Sequence, residues 1–161
     1  MCGRDAALRS TRTLALIMDP YRFTVSLRLW HPSRNLSRAE TVFGVVTARS
    51  LTRGDARRTP TGIPLPGVYP TSYWYANLTR KYISSKRQCA EQFLEQTIRR
   101  FRDRRAYLSR LRKSGGRAEL FVILVSTKNL TLELHPELLL SAAHLGVTIT
   151  LDWYPYAQNE R

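Results

Sequence analysis

His31, Asp55 and Asp152 are the side chains of this 161-residue chain best suited to moving a proton. His31 closes an alternating run, Asp152 sits near the end of another, and Asp55 lies in a basic loop. Strand ends and the loops beside them are where sites form. Gathered at one sheet edge, the three could bind a partner or do acid–base work. The competing reading is ordinary surface chemistry: Asp55 paired with Arg53 or Arg57, Asp152 paired at its strand end, His31 bonded to backbone. Other catalytic signatures are missing. His135 and His144 stand nine apart across Pro136, which is not the spacing of a ligand pair on one helix. There is no glycine-rich phosphate loop, and no serine has a motif-level histidine partner. The chain reads as a non-enzyme without cofactor or metal.

A second kind of chemistry is polyanion binding. Net charge is +14, and Arg80–Arg117 holds thirteen Lys/Arg against three acids. Concentrated positive charge attracts nucleic acid or an acidic protein face. Arg99, Arg102, Arg105, Arg110 and Lys113 are the candidate contacts, on what reads as an arginine-rich helix. Glu95 with Arg99, and Arg99 with Asp103, also have the spacing of surface ion pairs on a helix. The solvated face and the binding face both stand open. A third feature is the aromatic group Tyr69, Tyr73, Trp74 and Tyr75. Strand alternation puts Tyr73 and Tyr75 on one side and Trp74 on the other, with Trp74 expected in the core.

These side chains need elements to hold them. Tyr21–Trp30 alternates apolar and polar residues with period two, so a half-buried strand is predicted. His31-Pro32-Ser33 ends it. Ser33 or Asn35 could cap a short helix carrying Leu36, Ala39, Val42, Phe43 and Val46. Arg49–Pro60 reads as a polar loop. Thr59–Trp74 reads as one shaped, extended loop rich in Pro and Gly. Its Gly62–Tyr69 part is expected to fold back over the sheet, anchored by Trp74. Ser72–Leu78 reads as a strand. A long helix should start at Ser84 or Ser85, end at Gly115-Gly116 and bend near Asp103. Arg117–Val125 reads as a strand whose Leu120–Val125 run is apolar on both faces and therefore central. Pro136–Leu145 reads as a helix stopped by Gly146, and Val147–Trp153 as a closing strand. The predicted class is α+β: a single open sheet of about four strands, with two to three helices packed on one face.

Residues 1–18, basic and closed by a short apolar patch at Leu14–Met18, read as a disordered extension. Met18 reads as an alternative start, and residues 19–161 as a single domain. No apolar run nears the roughly 20 residues of a spanning helix, so no membrane role is expected. Cys2 and Cys89 cannot build a disulfide framework or a zinc site, which suits a reducing, cytoplasmic setting. Cys89 is expected to be a small buried apolar residue.

An ordered set of pieces over Tyr21–Tyr156 carries a family resemblance. A strand ends in His31-Pro32-Ser33. A short helix follows, then a basic loop with Arg53-Gly54-Asp55. The run Gly62-Ile63-Pro64-Leu65-Pro66-Gly67-Val68-Tyr69 leads to Ser72 and Trp74. A closing strand ends in Asp152-Trp153-Tyr154. In these the chain resembles a bacterial family catalogued as domain of unknown function 4279. The resemblance implies no activity, cofactor or catalytic set. It implies a partner-binding, immunity-like role with another protein as partner, for which Arg53, Asp55, Tyr69, Tyr73, His31 and Asp152 are the candidate contacts. Nucleic acid held by the Arg80–Arg117 segment is the alternative.

Overall fold

The computed structural model describes residues 21–155, so the expectations for residues 1–18 fall outside it. Among the described residues the strands are β1 (Arg22–His31), β2 (Arg49–Leu51), β3 (Ala56–Arg58), β4 (Pro64–Val68), β5 (Ser72–Asn77), β6 (Ile83–Ser84), β7 (Arg117–Ser126) and β8 (Thr148–Pro155). The helices are α1 (Ala39–Phe43), α2 (Ala90–Phe101), α3 (Arg105–Lys113) and α4 (Pro136–Leu145), with a 3-10 turn at Arg102–Arg104 between α2 and α3. The fold is mixed α and β. Its main sheet has six strands instead of about four, in the order β2-β5-β1-β7-β8, with β6 also on β1. All pairs are antiparallel except β7–β8, which α4 connects in parallel.

Strand alternation builds one core. Phe23, Val25, Leu27 and Leu29 of β1 are buried, as are Trp74 and Ala76 of β5 and Leu120, Val122 and Leu124 of β7. The helices cover this face with Phe43, Leu94, Ile98, Phe101, Leu108, Leu111, Leu138 and Leu145. The long helix does break near Asp103, as expected, at the 3-10 turn Arg102–Arg104, where charged residues interrupt its apolar side.

The long helix starts later than expected, at Ala90. Ser84 belongs to β6, and Ser85 donates its backbone N–H to Tyr21 O and accepts Tyr21 N–H on its hydroxyl. The cap is instead the Tyr21 hydroxyl. It accepts Ala90 N–H at 3.0 Å and donates to Glu91 Oε2 at 3.2 Å. Cys89, in the N-cap position, is half-buried, and burial raises its thiol pKa. A raised pKa disfavours the reactive thiolate. The short helix α1 also starts late, without a side-chain cap. Ser33 and Asn35 stay outside it, and the Asn35 carboxamide oxygen accepts Ser37 N–H instead.

Residues 49–68 are a second correction. The predicted loops contain β2 and a separate two-stranded hairpin, β3–β4. Gly62, at φ +87°, supplies the left-handed residue of its turn. Every residue of β4 is exposed, so Gly62–Val68 stands off the sheet and does not fold back over it. Trp74 is fully buried as expected, but it anchors another segment. It stacks on Phe43 of α1 at 6.3 Å, and its Nε1–H donates to Thr47 Oγ1 at 2.9 Å.

Candidate functional site

Among the described residues, no helix packs on the sheet face opposite the core. Its residues follow from register, because residues directly opposed across a ladder share a face. Leu51, Tyr73, Trp30 and Arg117 make one row across β2, β5, β1 and β7. Arg49, Tyr75, Arg28, Glu119 and Thr148 make the next, reaching β8. Asn77, Ser26, Phe121 and Thr150 make a third. Rows are two residues apart along each strand, roughly 7 Å.

Aromatic rings and guanidinium groups interleave on this face. Trp30 and Tyr73 have ring centroids 5.1 Å apart, and Tyr73 and Tyr75 5.7 Å. The Arg117 guanidinium lies 4.1 Å from the Trp30 ring centre, and that of Arg28 3.3 Å from the Phe121 ring centre. Arg28 is also 3.9 Å from Glu119 Oε1, and its Nε–H donates to Ser26 Oγ. Burial raises the Tyr73 phenol pKa, with Arg28 opposing the rise. The face is half-buried, polarised towards positive charge and lined with rings. Phe121, Ile123 and Val125 lie on it too, so β7 is apolar on both faces but covered on only one.

Beside this platform, an open cleft of about 800 Å³ separates the hairpin from β2 and β5. Arg49 and Tyr75 line it from the platform side, Asp55, Arg58 and Tyr69 from the hairpin side. On the helix side of the molecule, a groove of about 610 Å³ runs between α2 and α4, with Arg99, Arg102 and Arg105 along it.

The structure does not bring His31, Asp55 and Asp152 together. His31 points into the helix-covered core and is 1% exposed. Its Nδ1 accepts the backbone N–H groups of Ser33 and Arg34 at 3.0 and 2.7 Å, so Nε2 carries the proton and donates to Ser114 Oγ at 3.0 Å. Asp152 opposes Ile123, which opposes Thr24, so it stands at the far end of β1 on the open face. Seven residues of strand separate the levels of His31 and Thr24, roughly 23 Å at the usual rise. That exceeds any shared hydrogen-bond reach. Asp152 accepts a 2.8 Å hydrogen bond from the Tyr154 hydroxyl, which raises the Tyr154 pKa.

The remaining candidates divide. Asp55 is exposed on the hairpin and has no ion pair with Arg53 or Arg57. Arg53 is a brace: its backbone N–H donates to Ser72 Oγ, and its Nη1 donates to Pro32 O at 3.2 Å. The Tyr69 hydroxyl accepts Arg58 N–H and donates to Arg58 O, which pins the hairpin. Tyr73 alone of the six partner candidates belongs to the ringed platform. Of the five basic candidates, Arg99, Arg102 and Arg105 line one groove, while Arg110 and Lys113 lie outside it.

Tyr75 belongs to the aromatic group read from the sequence, but Trp30, Arg28, Arg117 and Phe121 were not singled out from it. Alternation does place Arg28 and Trp30 opposite the apolar face of β1. Their partners depend on a register set by distant strands. Among the described residues no group of three or more His, Cys, Asp or Glu could hold a metal, and no helix is long and apolar enough to cross a membrane. No family model, curated protein or solved structure matches the chain.

Proposed function

We propose that this chain is a non-enzymatic binding module that takes a single-stranded nucleic acid across the open face of its sheet. The observation that carries this reading is the row of Trp30 and Tyr73 with Tyr75 beside it, interleaved with Arg28, Arg49 and Arg117. Partly exposed rings such as these stack unpaired bases whatever their identity, and guanidinium groups track the backbone. A duplex keeps its bases stacked on each other and offers no free faces to such a surface. The net charge of +14 adds long-range attraction. Fluorescence anisotropy with a labelled single-stranded oligonucleotide and its duplex tests the proposal. Tighter binding of the single strand, weakened by Tyr73→Ala, is expected. Equal affinity for the duplex, or no effect of Tyr73→Ala, removes the sheet face from the proposal.

A second reading, a protein partner in an immunity-like role, draws on the family resemblance and on one observation. The hairpin of the Gly62–Trp74 signature presents Ile63 at 61%, Val68 at 56% and Leu65 at 39% exposure. Standing clear of the core, it can dock without disturbing the fold. An affinity capture with wild-type chain and an Ile63→Ser/Val68→Ser variant discriminates. A protein retained only by the wild type favours this reading, and one retained by both rejects the hairpin as its site.

A further inference from the structure

We infer that the groove between α2 and α4 is a separate site for a small phosphorylated organic molecule. It lies on the helix side of the molecule and does not depend on the sheet-face reading. Arg99, Arg102 and Arg105 follow each other at intervals of three residues through the end of α2, the 3-10 turn and the start of α3. A 3-10 turn has three residues per turn, so side chains at i and i+3 eclipse. The break in the long helix therefore lines up three guanidinium groups along one wall of the groove.

These groups are unspent. Glu95 and Asp103 stand at ion-pair spacing from Arg99, yet none of the three arginines has an ion pair among the described residues. Like charges side by side repel, and a phosphate relieves that repulsion while accepting forked guanidinium hydrogen bonds. Across the groove, Ser141 and His144 sit at i and i+3 on α4 and add polar groups to the same cleft. The floor is apolar: Ile98, Leu138 and Leu145 are 6%, 2% and 4% exposed. Glu95 and Glu137 also line the groove; carboxylates there suit a ligand that brings hydroxyl donors and disfavour one that is anionic throughout. The volume of about 610 Å³ is that of a small-molecule site, too small for a docked domain. A hydroxyl-bearing phosphate ester satisfies the arginines, the carboxylates and the floor together.

Isothermal titration calorimetry on the full chain tests this with ribose 5-phosphate, ribose and inorganic phosphate. The phosphate ester is expected to bind at least tenfold more tightly than inorganic phosphate, with no detectable binding of ribose. Arg102→Gln should weaken it about tenfold or more. Arg110→Gln removes the same charge outside the groove and should leave it within about twofold. Both positions are exposed, and thermal melts confirm that the variants fold. Equal losses in the two variants would show general charge attraction and overturn the site. So would an absence of saturable binding, or inorganic phosphate binding as tightly as the ester.

Discussion

Trp30 and Tyr73 face each other across the β1–β5 ladder, on the uncovered side of the sheet, with ring centroids 5.1 Å apart. Arg117 closes the other side of Trp30 at 4.1 Å, and Tyr75 extends the row beyond Tyr73. The helices back the sheet on its other face, and on this one the rings are held by their cross-strand neighbours.

If bases stack there, Tyr73→Ala should weaken single-strand binding roughly 5- to 150-fold, equivalent to about 1–3 kcal/mol for one lost stacking partner. Arg117→Gln should act differently. Each phosphate neutralised on a single strand contributes about 0.7 to the slope of log affinity against log salt. The variant should flatten that slope by about that amount. Anisotropy titrations between 50 and 300 mM salt read both effects, and an unchanged slope excludes Arg117 from phosphate contact.

Trp74 makes a contrasting prediction one residue along. It is fully buried, stacks on Phe43 and donates to Thr47. Trp74→Ala should cost about 3–5 kcal/mol, the range for large core truncations. Thr47→Val should cost less, about 1–3 kcal/mol, because it strands a buried indole N–H. Neither loss passes through the hairpin, so Tyr69→Phe should leave the global melt nearly unchanged. A wild-type melting temperature for Trp74→Ala would contradict its place in the core.

Much of this was legible, for a local reason. The period of two in Tyr21–Trp30 and in Ser72–Leu78 separates buried from uncovered side chains without knowledge of partners, so Trp74 in and Tyr73 out could be read directly. The polar stretch around Asp103, with Arg104 and Arg105 where a helix this long would carry apolar residues, marked the bend. What could not be read was non-local. Pro64 and Pro66 argued for a loop, yet an exposed two-stranded hairpin tolerates prolines whose missing N–H faces water. Phe121, Ile123 and Val125 read as covered because apolar residues usually are, and nothing local says that helices lie on one side only. The grouping of His31 with Asp152 failed for a related reason. Both stand near strand ends in the chain, but the β1–β7–β8 register places them at opposite ends of the sheet and on opposite faces.

Gly116 ties the helix side to the platform. A Cβ there would lie 2.8 Å from Leu111 Cδ1 and 2.8 Å from the backbone oxygen of Trp30. The leucine is packed and the carbonyl belongs to β1, so neither yields easily. Gly116→Ala should cost about 1–3 kcal/mol, as overpacking does. Because the strained contact is Trp30's own backbone, it should also weaken single-strand binding. Denaturant midpoints and anisotropy on the same variant check the pair. Full stability would show that β1 can shift to admit the methyl group.

His31 should make stability depend on pH. Burial, and then the nearby charge of Arg34, hold its pKa below the ordinary 6.5. Protonation would place a hydrogen on Nδ1, where two backbone N–H groups already point. The unfolded chain therefore takes up a proton near pH 6.5 that the folded chain refuses. Where the unfolded state binds more protons, stability rises with pH. The His31 contribution is thus complete above about pH 6.5 and declines as pH falls below it, by at most about 1.4 kcal/mol per pH unit. Guanidinium unfolding at pH 8, 7, 6 and 5 should show little change to pH 7 and a fall below it. His31→Asn keeps an acceptor for the backbone N–H groups but cannot take up the proton. Its overall stability should be lower and its curve between pH 7 and 5 flatter. An equal decline in the variant would assign the pH dependence to other groups and leave His31 as a packing residue alone.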